Sequence, residues 1–140
     1  MISFNYESNF NLDNESLYVD WLSKVITSEL KNEGEINYIF CDDDYLLEIN
    51  QQYLDHDTLT DIISFDYSVG NELHGDIFIS IERVRDNAKD FNVSFEDELK
   101  RVMVHGVLHY CGYKDKSEQD EQLMREKEEE KMKMFHVKQK

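Results

Sequence analysis

The chain has 140 residues, 40% of them hydrophobic and 12% aromatic, and a formal net charge of −16, the size and composition of one domain with a core of its own. No apolar run approaches the roughly 20 residues that cross a bilayer, and the opening MISFNYES lacks the basic start and apolar centre of a signal peptide, so a cytoplasmic protein without membrane segments is expected. Of 31 acidic and 15 basic side chains, residues 116–140 hold seven of each, which leaves 24 acidic against 8 basic in residues 1–115; that field opposes phosphate contacts and excludes a generic nucleic-acid binder.

In chain order, Ile2 to Tyr6 alternates apolar and polar side chains and reads as a strand. A helix is expected from about Asn14, with Leu17, Trp21, Leu22, Val25, Ile26 and Leu30 on one face, ending between Asn32 and Gly34. Residues 36–41 (INYIFC) form a second strand, and the three aspartates 42–44 favour the N-terminus of a helix whose Tyr45, Leu46, Ile49 and Tyr53 face inward. The aspartates lack the glycine and terminal glutamate of a calcium-binding loop. A polar loop runs into a third strand ending near Phe65, residues 73–80 (LHGDIFIS) form a fourth, and a helix follows over roughly 82–90. Ser94 with Asp97, and Ser117 with Asp120, carry the capping pattern that opens two further helices, the last running from about Glu118 toward Phe135 with a thin apolar stripe and a charged tail. The chain has no proline, no internal repeat and no linker, so a single α+β domain is predicted: four strands in a mixed sheet with helices packed on it.

The segment VHGVLHYCGYKD concentrates the chemistry. His105 and His109 are spaced i, i+4 and lie one above the other on a helix face, about 6 Å apart along the axis. They flank an apolar arc of Leu99, Val102, Met103, Gly106 and Tyr110, at the rim between core and solvent. Gly112 stands where a left-handed residue ends a helix, and the returning chain offers Asp115 as a third ligand. Two imidazoles and one carboxylate leave a tetrahedral zinc ion an open position, the pattern of a catalytic site. Cys111 points away from the histidine face and reads as packing, and the two cysteines, Cys41 and Cys111, form no CxxC pair. Asp61, Asp76 and Glu98 are candidates to orient the imidazoles, Glu98 lying seven residues before His105 on the same helical face. A zincin protease has glutamate after its first histidine; Gly106 occupies that place, which argues against ordinary peptide hydrolysis.

These blocks, HGVLHYCGYKD preceded by INQQYLDHDTLTDIISFD and HGDIFIS, resemble the YbeY family of bacterial metal-dependent endoribonucleases. The match falls on Asn50, Tyr53, Thr60, Asp61, Ser64, Phe65, Gly75, Asp76, Ile77, His105, Gly106, Leu108, His109, Gly112 and Tyr113, in order and spacing over roughly residues 45 to 116. The resemblance implies a zincin-like fold and one zinc ion on His105, His109 and the residue ten after His105. It further implies single-strand-specific RNA cleavage in ribosomal RNA maturation and ribosome quality control, with the small ribosomal subunit and a ribosome-assembly GTPase as partners. Two departures stand out. Asp115 replaces the family's usual third histidine, which adds negative charge and shifts preference toward harder ions such as manganese. Leu54 replaces a usual arginine that the family is thought to use on RNA, and Leu59 replaces a usual proline. The competing expectations are an assembly protein with a structural metal whose acidic surface docks basic ribosomal proteins, and a metal-dependent hydrolase of another substrate.

Overall fold

The computed structural model describes residues 1–54 and 60–135, so Leu59 and the side chain of Leu54 lie outside the described residues. Four strands, β1 (Ile2–Tyr6), β2 (Asn32–Cys41), β3 (Ile62–Asp66) and β4 (Glu72–Ser80), make one sheet in the order β1-β2-β4-β3. β1 and β4 run parallel to β2, and β3 runs antiparallel to β4, as a mixed sheet requires. Five helices accompany them: α1 (Glu15–Ser28), α2 (Asp43–Leu54), α3 (Ile81–Phe91), α4 (Phe95–Tyr110) and α5 (Glu118–Met132).

Strand alternation sorts the two sheet faces. Ile2, Ile36, Tyr38, Phe40, Leu73, Ile77 and Ile79 enter the main core with α1, α3 and α4. On the other face α2 covers a smaller cluster of Cys41, Leu46 and Ile63, against which Phe65 and Phe78 pack. The helix caps follow the expected chemistry: Asp97 N donates to Ser94 Oγ at 3.1 Å and Asp120 N to Ser117 Oγ at 3.0 Å.

Three expectations need correction. Leu30 is not on the inner face of α1: it has φ 61° and is 86% exposed. The helix closes there with Leu30 N donating to Thr27 O and Lys31 N to Ile26 O, a left-handed stop built without glycine. The chain is consequently free to start β2 at Asn32 rather than Ile36, with a register shift between Glu33 and Ile36. Tyr53 does not face inward either; it is 61% exposed and meets the edge of Phe65 at 5.9 Å.

A close approach fixes α4 on the sheet. Tyr110 Oη donates to Phe65 O at 2.9 Å and to Asp76 O at 3.3 Å, binding the end of α4 to β3 and β4 together. Its ring passes directly over Gly75, where a Cβ would overlap the phenol and the Phe65 carbonyl.

Candidate metal centre

His105 and His109 project from the last two turns of α4, with ring centroids 4.5 Å apart and planes at 85°. Beyond them the helix stops on Gly112 at φ 108°, a conformation that side-chain-bearing residues rarely adopt. Gly112 N donates to His109 O at 3.0 Å and Tyr113 N to Leu108 O at 3.1 Å, the paired bonds of a reversing C-terminus. That reversal brings Asp115 back over the histidines, with Oδ2 3.5 Å from both Nε2 atoms. The two Nε2 atoms are 3.0 Å apart. A tetrahedral ion with ligand bonds of roughly 2.0 to 2.2 Å needs ligand atoms separated by roughly 3.3 to 3.5 Å; the two edges to Asp115 match this and the 3.0 Å edge between the Nε2 atoms is slightly short of it, so a small rotation of the rings suits the three atoms to one ion.

The donor set supports the same conclusion. His109 Nδ1 donates to Tyr113 O at 2.9 Å, so in its neutral form Nε2 carries the lone pair. His105 Nδ1 lies 2.6 Å from Glu128 Oε2 and donates to it. Two acceptor nitrogens and a carboxylate oxygen therefore converge on one point. Without a proton or cation between them they repel; a divalent ion satisfies all three.

Glu128 went unnoticed in the sequence. It belongs to α5, yet it is only 3% exposed and also accepts from Arg101 Nη1 at 3.2 Å. Arg101 in turn holds Glu98 by two bonds, Nε to Oε1 at 3.0 Å and Nη2 to Oε2 at 2.5 Å. Burial alone would lower the guanidinium pKa, but the two carboxylates outweigh it and raise the value. Glu98 thus does not orient an imidazole directly, although it is buried on the expected helical side; its carboxylate is spent on Arg101. Asp76 is not at the site, because β4 alternation turns it to the opposite sheet face, where it accepts from Asn37 Nδ2 at 3.0 Å. That alternation, with Gly75 and Ile77 facing α4, was readable in the sequence. Asp61 does line the cleft and accepts from Asn87 Nδ2 at 3.3 Å. Cys111 is half-buried with its thiol pushed up to about 11 by burial, a packing group rather than a thiolate ligand.

His105, His109 and Asp115 open onto a cleft of about 340 Å³ that also presents Ser64, Asp61 and Arg101. Arg101 is the one lysine or arginine among its described lining residues. Gly106 presses against the sheet, where a Cβ would come within 3.0 Å of Ile77 Cδ1 and 3.3 Å of Ile62 Cδ1. Glycine there offers no carboxylate, and a larger residue would push these side-chain ends aside, so the general base of an HExxH protease has no counterpart at that position.

An α+β domain with two histidines and one carboxylate on a helix and the turn after it, open to a cleft, has the construction of a metal-dependent hydrolase. Comparison with known proteins narrows the class. The family model described as Endoribonuclease YbeY matches residues 3–136, and the chain belongs to that family. Among its relatives, proteins called Endoribonuclease YbeY from Flavobacterium psychrophilum and Flavobacterium johnsoniae are 75% and 74% identical over 139 residues, covering 99% of this chain and 99% and 100% of theirs. The solution structure of TM1509 from Thermotoga maritima is similar with a TM-score of 0.68 at 27% identity, over 96% of this chain and 89% of that one. Among the described residues no helix is long and apolar enough to cross a membrane.

Proposed function

We propose that this chain is a divalent-metal-dependent endoribonuclease that cuts single-stranded RNA, with His105, His109 and Asp115 as the metal ligands and zinc as the ion. The observation that carries the reading is the convergence of three acceptor atoms at 3.0 to 3.5 Å, with each imidazole tied at its outer nitrogen. A bound divalent ion supplies Lewis acidity at a phosphoryl oxygen and acidifies water for attack. The protein contributes the rest. Tyr113 O and Glu128 hold the rings in the tautomer that leaves Nε2 available. Arg101, the one lysine or arginine among the described lining residues, stands at the cleft wall already paired with Glu98 and Glu128, so it braces the site rather than offering free charge to RNA, and the cleft volume suits one nucleotide of an unpaired strand better than a duplex. Asp61 is proposed as a further polar group at the cleft. Ribosomal RNA maturation and ribosome quality control, in the cytoplasm, are the setting that the family membership supports, with the small subunit as substrate and a ribosome-assembly GTPase as partner.

The charge distribution favours one further role for the same protein. The acidic excess of residues 1–115 repels bare RNA and suits basic ribosomal proteins, which would bring the substrate to the cleft.

The test is metal content and RNA cleavage in one preparation. The wild type is expected to carry about one zinc per chain and to cleave a single-stranded RNA; His109→Ala and Asp115→Ala are expected to lose both while remaining folded. A folded variant without metal that cleaves as well as the wild type would replace this reading with a structural metal in an assembly protein.

A further inference from the structure

The final helix is attached to the body in an unusual way. Its buried residues are Met124, Glu128 and Lys131, so two of the three are charged. Lys131 Nζ reaches Ser28 Oγ at the end of α1 and the carboxylate of Glu29 just after it, each at 2.9 Å, and Lys131 O accepts from Trp21 Nε1 at 2.7 Å. Glu128 makes the other charged contact, bridging Arg101 and His105 across to α4. Polar contacts of this kind are geometrically strict: each is favourable only while both partners are in place. One of them ends on a ligand of the metal centre.

We propose that Glu128 is a positioning residue for His105 and that, through this hydrogen bond, the docking of α5 and the binding of metal are thermodynamically linked. This inference rests on the metal-centre reading above. While α5 is docked, Glu128 fixes the His105 ring plane and keeps its proton on Nδ1, presenting Nε2 toward Asp115 and His109. When α5 lifts, the ring is free to rotate and the ligand set falls to one fixed imidazole and a carboxylate on a turn. Linkage works in both directions, so whatever factor docking adds to metal affinity, metal adds to docking. Carboxylates that orient ligating imidazoles are typically worth 10- to 100-fold in metal affinity.

Two measurements on the full chain decide it. Zinc affinity, read by competition with a chromophoric chelator, is expected to fall about tenfold in Glu128→Gln, which keeps the size and one acceptor, and nearer 100-fold in Glu128→Ala. Hydrogen exchange of the α5 amides in the wild type is expected to slow when zinc is added, and this slowing should vanish in Glu128→Ala. A purely structural Glu128 would change exchange equally with and without zinc. Wild-type zinc affinity in both variants, or α5 exchange indifferent to zinc in the wild type, overturns the linkage. A wild-type chain that takes up no zinc overturns the metal centre itself, a failure distinguishable from the first.

Discussion

Asp115 concentrates the chemical individuality of the site in one side chain. It is the most exposed of the three proposed ligands, and it reaches the histidines because Gly112 reverses the chain. A carboxylate at this position donates more charge to the ion than an imidazole and is a harder ligand. Replacing it by histidine is therefore expected to leave the ion bound while shifting selectivity from manganese toward zinc. Parallel titrations of wild type and Asp115→His with the two metals check this, and an unchanged ratio would show that Asp115 does not touch the ion. The pair His105 and Glu128 sets a second condition at this scale. Glu128 and Glu98 are both buried, and each depends on Arg101 for its counter-charge, since a buried carboxylate stripped of its partner costs several kcal/mol.

Between elements, the decisive contact is Tyr110 over Gly75. It ties the helix that carries the two histidines to β3, which lines the cleft, and to β4 beside it, and it leaves no volume for a side chain at position 75. Gly75→Ala is expected to lower the unfolding free energy by about 3 kcal/mol, the cost of overpacking against backbone and a locked ring, as measured by denaturant titration. A loss well under 1 kcal/mol would mean that α4 slides easily. The same elements show what could be read from the sequence. Strand alternation and the apolar arc of α4 foretold the sheet, the core helix and the adjacency of His105 and His109 on one face, because burial of apolar groups follows simple periods. Serine caps and Gly112 marked helix ends for equally local reasons. What stayed hidden was burial by charge: Glu128 and Lys131 lie in a run of glutamates and lysines that has the composition of a solvated surface, and only their distant partners Arg101, His105 and Glu29 show otherwise. Leu30 misled in the opposite sense, an apolar residue at helical spacing used as a left-handed stop.

At the scale of the whole molecule, α5 closes the structure by an ion pair with Glu29, the residue that caps α1. Burial tends to raise the Glu29 pKa, but Lys131, Tyr113 and Lys127 more than offset it, and the folded value lies below the ordinary 4.5. A carboxyl depressed on folding adds stability above its unfolded pKa and loses it as pH falls through the folded value. Lys131 is the mirror case: burial lowers its pKa, Glu29 and Glu130 more than offset this and leave it above the ordinary 10.5, and its contribution is present below 10.5 and fades as pH rises through the folded value. The stability difference between wild type and Glu29→Gln should hence be level through neutral pH and shrink as pH drops under 4.5, followed by thermal melts across that range. A difference that grows on acidification would show the sign to be wrong.

Trp21 adds a practical consequence to this closure. It is the chain's single tryptophan, its indole bonded to the Lys131 carbonyl and edged against Phe135 at 5.2 Å. Fluorescence excited beyond the absorption of the eight tyrosines thus comes from one fluorophore seated at the joint between the first and last helices. Its emission reports, without any label, whether the C-terminal segment is seated on the body.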